Sequence, residues 1–295
     1  MEARMIRETE IQELDLVSRG KVRDIYELDN DLLIITTDRV SAFDHILTST
    51  IPMKGKVLNQ LSLFFFEMAE DIIDNHVIHA DFSKLPRFLR QYDYLKGRFM
   101  VAKKAEPLPV ECIVRGYITG SGYREYTQSH TIGGMHIDEE LAESERFPEP
   151  VFTPSTKTEE GHDENIPYEK MKTIIPHYSE IVRDTSLAIY RKAAEYAKSR
   201  GIIIADTKME FGVYDDNLII IDELLTPDSS RFWSAEDYKK GEKQQSMDKQ
   251  YIRDYLMSTE WDRNSSPPGL PEEVIEKTSQ IYINTYKLLT GNELS

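Results

Sequence analysis

The chain has 295 residues, 40% hydrophobic and 30% charged, with 52 acidic against 36 basic side chains and a formal charge of −16. That length and balance suit one large two-lobed domain or two small ones, with a sizeable core. The acidic surplus argues against a general nucleic-acid or membrane-surface role, because a phosphate backbone needs a basic face.

Cys112 is the single cysteine. No intrachain disulfide can form, which suits a cytoplasmic location. It lies in the apolar run Val110 to Val114, where a buried structural thiol is expected rather than a nucleophile. The first residues show no apolar signal-peptide region, and the apolar runs fall far short of the ~20 residues of a membrane span.

In chain order, the N-terminal segment reads as β-rich. Strands are expected over Leu14–Ser18, Val22–Leu28 and Leu32–Thr37, with a loop over Asp38–Asp44. A buried helix follows over Lys56–Ile73, with Leu58, Leu61, Phe65, Met68 and Ile72 at helical spacing. A short helix over Ser83–Gln91 precedes strands over Arg98–Lys104 and Glu111–Ile118. The Glu106-Pro107-Leu108-Pro109 link between those strands reads as a stiff hinge that continues no ladder. It divides the chain into a β-rich lobe, 1–105, and an α+β lobe, 106–295. Arg146–Ile166 has no period and reads as a structureless loop, functional or disordered. Further helices are expected over Tyr178–Arg200, with Ile181, Thr185, Ala188 and Ile189 on one face, over Met247–Met257, and from Pro271 onward. Two apolar strands lie between them, Ile202–Ala205 and Leu218–Asp222.

Several segments carry residues suited to chemistry. Asp206-Thr207-Lys208-Met209-Glu210-Phe211-Gly212 and Asp222-Glu223 place carboxylates at the ends of buried apolar runs, where an unpaired charge is costly. Two carboxylates on neighbouring strands suit a hard divalent cation. Glu210 lies across from Asp222 only if the turn has three residues, Asp215 to Asn217, with Asn217 left-handed. Spacing alone leaves a metal site and a decorated hairpin equally open. Lys208 alternates with Asp206 and Glu210, as a salt-bridge partner or an anion clamp. Ser18-Arg19-Gly20-Lys21-Val22-Arg23 is a strand–turn–strand whose N–H groups and cations can cradle phosphates, or simply an exposed basic hairpin. Pro52-Met53-Lys54-Gly55 opens a helix that suits an anion, or is an ordinary capping turn. Arg115-Gly116-Tyr117-Ile118-Thr119-Gly120-Ser121-Gly122 places an arginine before a glycine-rich helix start, with Ser121 a candidate cap. Arg231 is a second candidate clamp. His162, in an acidic loop, reads as solvated, and no zinc pattern or nucleophile elbow is present.

Together these segments resemble the SAICAR synthetase family over roughly Leu14 to Leu256. The resemblance rests on Gly20–Tyr26, Asp38–Asp44, Pro52–Gly55, Glu111–Gly116, Ser155–Lys157, Asp206–Gly212, Asp222-Glu223, Asp228–Phe232 and Met247–Gln250 in that order. It implies an α+β, two-lobed fold similar to the ATP-grasp and protein-kinase plan, with antiparallel sheets and flanking helices. It also implies a reaction: ATP phosphorylates the carboxylate of the ribonucleotide CAIR, and the amine of L-aspartate displaces phosphate to give SAICAR and ADP.

By the same resemblance, Ser18, Gly20, Lys21, Val22 and Arg23 hold ATP, and Glu111 serves the adenosine. Glu210 and Asp222 hold Mg²⁺. Arg115, Ser121 and Arg231 clamp the monophosphate, Lys208 faces the substrate carboxylates, and Asp38, Arg39 and Ser41 line the reacting end. The expected partners are small molecules, with no nucleic acid and no membrane, and a homo-oligomer is left open. Two other readings compete: another small-molecule kinase or ligase on this plan, and a nucleotide-binding regulatory module. The first competitor gains ground if Arg115, Ser121 and Arg231 fail to converge.

Overall fold

The computed structural model describes residues 5–157 and 164–294. Strands β1 (Leu16–Arg19), β2 (Arg23–Leu28) and β3 (Asp31–Thr36) precede the hairpin β4 (Arg39–Ala42) and β5 (His45–Thr50). Helix α1 (Lys54–Ala69) leads to β6 (Val77–His79) and β7 (Phe99–Lys103), with three 3₁₀ turns between them. Then come β8 (Glu106–Pro107), β9 (Val110–Tyr117), α2 (Gly120–Ser129), β10 (Thr131–Ile132), β11 (Met135–His136) and β12 (Arg146–Thr156). Helices α3 (Tyr168–Ile174) and α4 (Ser179–Ser199) are followed by β13 (Ile202–Tyr214), β14 (Asn217–Ile221), β15 (Ser230–Ser234), α5 (Gln250–Ser258) and α6 (Glu272–Thr290). The architecture is α+β. Among the described residues no helix is long and apolar enough to cross a membrane.

The chain forms two compact units, one of residues 1–64, 76–104 and 247–295, the other of 65–75 and 105–246. This differs from two consecutive lobes divided at 105, for a packing reason. Ile252 and Leu256 of α5, with Leu270 and Val274, share one core with Val40, Leu47 and Ile51. The C-terminal helices therefore complete the first unit.

The first unit holds an antiparallel sheet in the order β1-β2-β3-β7-β6. Alternation along β2 and β3 sends Tyr26, Leu28, Leu33 and Ile35 into a core with Ile11, Phe99 and Val101. Ile34, Met100 and Ala102 point to the other face, against Leu63 and Val77. Each such side chain contributes roughly 1.5–3 kcal/mol by leaving water. The segment from Ile6 to Ile11, silent in sequence, is tied down: Ile6 and Ile11 are buried, and the Ile6 N–H donates to Asp38 Oδ2 at 2.7 Å.

The second unit is built on β13. Its 13 residues are long enough to serve several partners: β15 along Ile202–Thr207, β9 along Asp206–Met209, and β14 and β8 toward its end. The ladder β12-β9-β13-β14 forms the body of this sheet. Helix α4 packs on it through Val182, Ser186, Ile189, Tyr190, Ala193 and Ala197, whereas Ile181 is 55% exposed. The buried stripe is thus rotated from the one expected. Tyr190 sets that rotation, donating from its hydroxyl to the Ile204 carbonyl at 2.6 Å and lying where a side chain on Gly116 would be.

Two proline-rich segments pair where sequence argues otherwise. Pro107 and Glu106 align with Gly212 and Val213, and the Leu108 N–H donates to the Phe211 carbonyl at 2.8 Å. Arg146–Thr156, expected to be structureless, is the 11-residue strand β12, running beside β9 from Tyr117 to Val110. Both are edge strands, which need backbone donors on one side only and so accept Pro107, Pro148, Pro150 and Pro154. His162 lies outside the described residues.

Candidate active site

The register of β9 against β13 builds one charged face. Asp206 lies opposite Arg115, Lys208 opposite Ile113, and Met209 opposite Cys112. Because strand side chains alternate, Glu111 and Arg115 share a face with Asp206, Lys208 and Glu210. Cys112, Val114, Met209 and Phe211 point the other way and are buried. Burial raises the Cys112 thiol well above its ordinary pKa, so it is a core residue rather than a nucleophile.

One end of the charged face gathers cations around a single carboxylate. Arg115 Nη1 donates to Asp206 Oδ2 at 3.1 Å, and Arg231 Nη1 donates to the same oxygen. Arg115 Nε donates to Thr153 Oγ1 at 3.0 Å, and its Nη2 reaches Ser121 Oγ at 3.5 Å. Arg115, Ser121 and Arg231 therefore converge. Glycine permits this approach: a β-carbon on Gly120 would lie 2.3 Å from Arg231 Nη2, and one on Gly122 would lie 3.4 Å from the Arg115 side chain. The cap of α2 is Thr119 rather than Ser121, which leaves the Ser121 hydroxyl beside Arg115. Two guanidiniums and one carboxylate carry a net positive charge suited to an anion.

The other end is a chain of alternating charge. Lys157 Nζ donates to Glu210 Oε2 at 2.5 Å, and Lys208 Nζ donates to Glu210 Oε1 at 2.9 Å. Lys208 donates also to Glu111 Oε1, whose second oxygen accepts from Ser155 Oγ at 3.3 Å. Burial lowers the Lys208 pKa, but the neighbouring Glu210, Glu111 and Asp222 outweigh it and raise the group above its ordinary value. Glu111 thus engages Lys208; an adenosine contact was expected for it.

Asp222 reaches this field by a route other than the one anticipated. Tyr214 pairs with Asn217, so the turn has two residues, Asp215 and Asp216, with φ of 48° and 62°. That is the left-handed pair of a type I′ turn, whose twist matches the strands it joins. The three-residue turn with a left-handed Asn217 is corrected: Asn217 is the first residue of β14, and Glu210 faces Ile221. The chain then leaves the ladder at Asp222, where φ is 65°. The Asp222 carboxylate nevertheless acts on Lys208 beside Glu210 and Glu111.

In the first unit, the basic turn closes through the Gly20 N–H, which donates to the Arg23 carbonyl at 2.8 Å. Ser18 and Lys21 are exposed, and Lys21 pairs with Asp44 at 2.6 Å. Val22 is buried, and its carbonyl accepts from Thr37 N and Oγ1, each at 2.8 Å. Asp38 and Arg39, expected at the reacting end, are 0% and 2% exposed and lie in a buried hydrogen-bonded network. Asp38 Oδ1 accepts from the Gly55 N–H at 2.9 Å and Arg98 Nη1 at 3.1 Å, so the anion at the start of α1 is the protein's own carboxylate. Arg39 donates to the carbonyls of Arg7, Gly20 and Arg23 and to Asp24 Oδ1, which shapes the basic turn from beneath. Ser41, also buried, pairs with Ile46 in the β4–β5 hairpin.

Sequence reasoning held Asp206 only as one of the hairpin-end carboxylates and Ser155 and Lys157 only as part of a family motif, and it gave Thr153 no role. The signal was present: Val151, Thr153, Ser155 and Lys157 alternate as a strand would, but Pro154 among them and Pro148 and Pro150 before them masked the period.

An α+β fold with convergent guanidiniums at one end of a sheet face, and a lysine held by carboxylates at the other, belongs to enzymes that act on anionic substrates. The SAICAR synthetase family model matches residues 16–268. The phosphoribosylaminoimidazole-succinocarboxamide synthase of Thermodesulfovibrio yellowstonii is 52% identical over 289 residues, 97% of this chain and 99% of that one. The same-named protein of Geobacter sulfurreducens is 50% identical over 292 residues, 98% of this chain and 99% of that one. The solved SAICAR synthase of Saccharomyces cerevisiae, complexed with SAICAR, superposes with a TM-score of 0.90 at 42% identity, covering 98% of this chain and 99% of that one. The chain belongs to the SAICAR synthetase family. Its activity is the ATP-dependent ligase step of purine biosynthesis that this family carries out.

Proposed function

We propose that the charged sheet face of the second unit divides the ligase reaction between its two ends. Arg115, Ser121 and Arg231 take the monophosphate of CAIR, with Asp206 holding both guanidiniums in position. Lys208 faces the substrate carboxylates as a permanent ammonium and offsets their negative charge. Glu111 and Ser155 hold Lys208 in place. The observation that carries this reading is the meeting of Arg115 and Arg231 on Asp206 Oδ2, within reach of Ser121.

Glu210 and Asp222 are the proposed Mg²⁺ ligands. Two carboxylates are hard oxygen donors of the type Mg²⁺ selects, and the ammonium groups on Glu210 show that this position attracts positive charge. Mg²⁺, when bound, offsets phosphate charge. In the first unit, Ser18, Gly20, Lys21, Val22 and Arg23 are assigned to the ATP phosphates. Asp38 and Arg39 act as positioning residues, since Arg39 supports the Gly20–Arg23 turn and Asp38 anchors the start of α1. A carboxylate repels an amine, so the enzyme's task is to position phosphoryl groups and neutralise charge. The cytoplasm is the proposed location, on the grounds of the single buried thiol.

Supplying ATP, Mg²⁺, CAIR and L-aspartate should release ADP, and SAICAR should form only when both co-substrates are present. ADP release that ignores either co-substrate would overturn the assignment. Glu210→Ala should abolish Mg²⁺-dependent turnover while circular dichroism stays native; retained turnover would remove Glu210 from the metal site.

A further inference from the structure

Both oxygens of the Glu210 carboxylate are capped by ammonium groups, Lys208 on Oε1 and Lys157 on Oε2. The assignment of Glu210 to the metal raises a conflict that the geometry resolves. A divalent cation on Oε2 would stand about 2.1 Å from an oxygen that Lys157 already approaches to 2.5 Å. Like charges so close repel strongly, so one ammonium must leave before the cation can enter.

The two lysines are not equally free to leave. Lys208 lies in mid-strand on β13 and is also bonded to Glu111, itself buried, so its departure would take a charge partner from two carboxylates at once. Lys157 lies one residue beyond the end of β12. Its side chain is 40% exposed, against 10% for Glu210, and its N–H makes a long contact of 3.4 Å to the Pro109 carbonyl. An ammonium at a half-exposed strand end returns to water at little cost.

We infer that Lys157 is a built-in, displaceable counter-ion of the metal site: it neutralises Glu210 while no metal is bound, and a divalent cation must expel it to bind. Lys157 therefore competes with the metal. This inference rests on Glu210 being a metal ligand. It makes Lys157 a positioning residue, one that holds the Glu210 carboxylate ready without touching substrate.

The test is a titration of the full chain with Mn²⁺ in the absence of nucleotide, with free Mn²⁺ read by electron paramagnetic resonance. Wild type is compared with Lys157→Met, Lys157→Arg and Glu210→Gln. Methionine keeps the apolar stem and removes the charge. Lys157→Met should bind Mn²⁺ about tenfold more tightly, as expected for loss of one nearby like charge partly screened by solvent. Lys157→Arg should stay close to wild type, and Glu210→Gln should bind far more weakly. If Lys157→Met binds Mn²⁺ no more tightly than wild type while Glu210→Gln loses it, the metal site stands and the counter-ion inference fails. If Glu210→Gln binds Mn²⁺ as wild type does, the metal assignment fails, and the inference with it.

Discussion

Arg231 Nη2 occupies the space that a side chain on Gly120 would take, 2.3 Å from the position of a β-carbon there. The glycine is required twice over, because its φ of 58° is also left-handed. The contact belongs to the far end of a flexible side chain, so Arg231 is the group that would yield. Gly120→Ala should therefore act on binding more than on folding. The left-handed backbone costs roughly 1 kcal/mol. The displaced guanidinium should raise the KM for CAIR at least about tenfold, in line with loss of a charge-assisted hydrogen bond, with the KM for ATP little changed. Steady-state kinetics with each substrate varied in turn would separate the two. An equal rise for both would place Arg231 outside the ribonucleotide clamp.

Lys208 sets an expectation for pH. Burial lowers its pKa, but Glu210, Glu111 and Asp222 outweigh burial, and the net direction is upward. A raised folded-state pKa means that the stabilising ion pairs are fully present below the unfolded lysine value of about 10.4 and are lost only as pH rises through the higher folded value. Lys208 should then stay charged across the working range. The kcat/KM profile should show no basic limb owed to Lys208 between pH 7 and about 10. A limb near pH 8 that disappears in Lys208→Arg would contradict this and make Lys208 a proton acceptor.

The β13–β14 turn offers a stability test of its geometry. Asp215 and Asp216 both hold positive φ, where Asn and Gly are the favoured pair. The double change Asp215→Asn with Asp216→Gly should stabilise the protein by about 0.5–1 kcal/mol, read by urea unfolding. Asn217→Gly should do the opposite, since Asn217 begins β14 and glycine weakens a strand. The reverse order of stabilities would point to a three-residue turn.

Some of the site was legible because it depends on residue type and local spacing. The alternation of Asp206, Lys208 and Glu210 along β13 puts them on one face whatever surrounds that strand. The glycines in the first turn of α2 similarly mark a close backbone approach near Arg115. Other features were hidden because local signals misled. Prolines in β12 suggested a loop, yet an edge strand accepts them, and so Thr153, Ser155 and Lys157 went without roles. Asp38 and Arg39 were placed at the reacting end by the family resemblance alone. Only their packing shows the buried network with Gly55, Arg98, Asp24 and the Gly20 turn.

The order and chemistry of the motifs were enough to determine the family, the α+β class and the sets of residues that bear charge. Tertiary structure alone decided how those charges pair: Arg115 and Arg231 on Asp206, Lys157 and Lys208 on Glu210, and Asp222 brought near Lys208 by leaving its strand. The reason is range. Alternation and turn chemistry act over a few residues and can be read along the chain. Ion pairs between side chains as far apart as Arg115 and Asp206 depend on strand register, which the packing of the whole sheet determines.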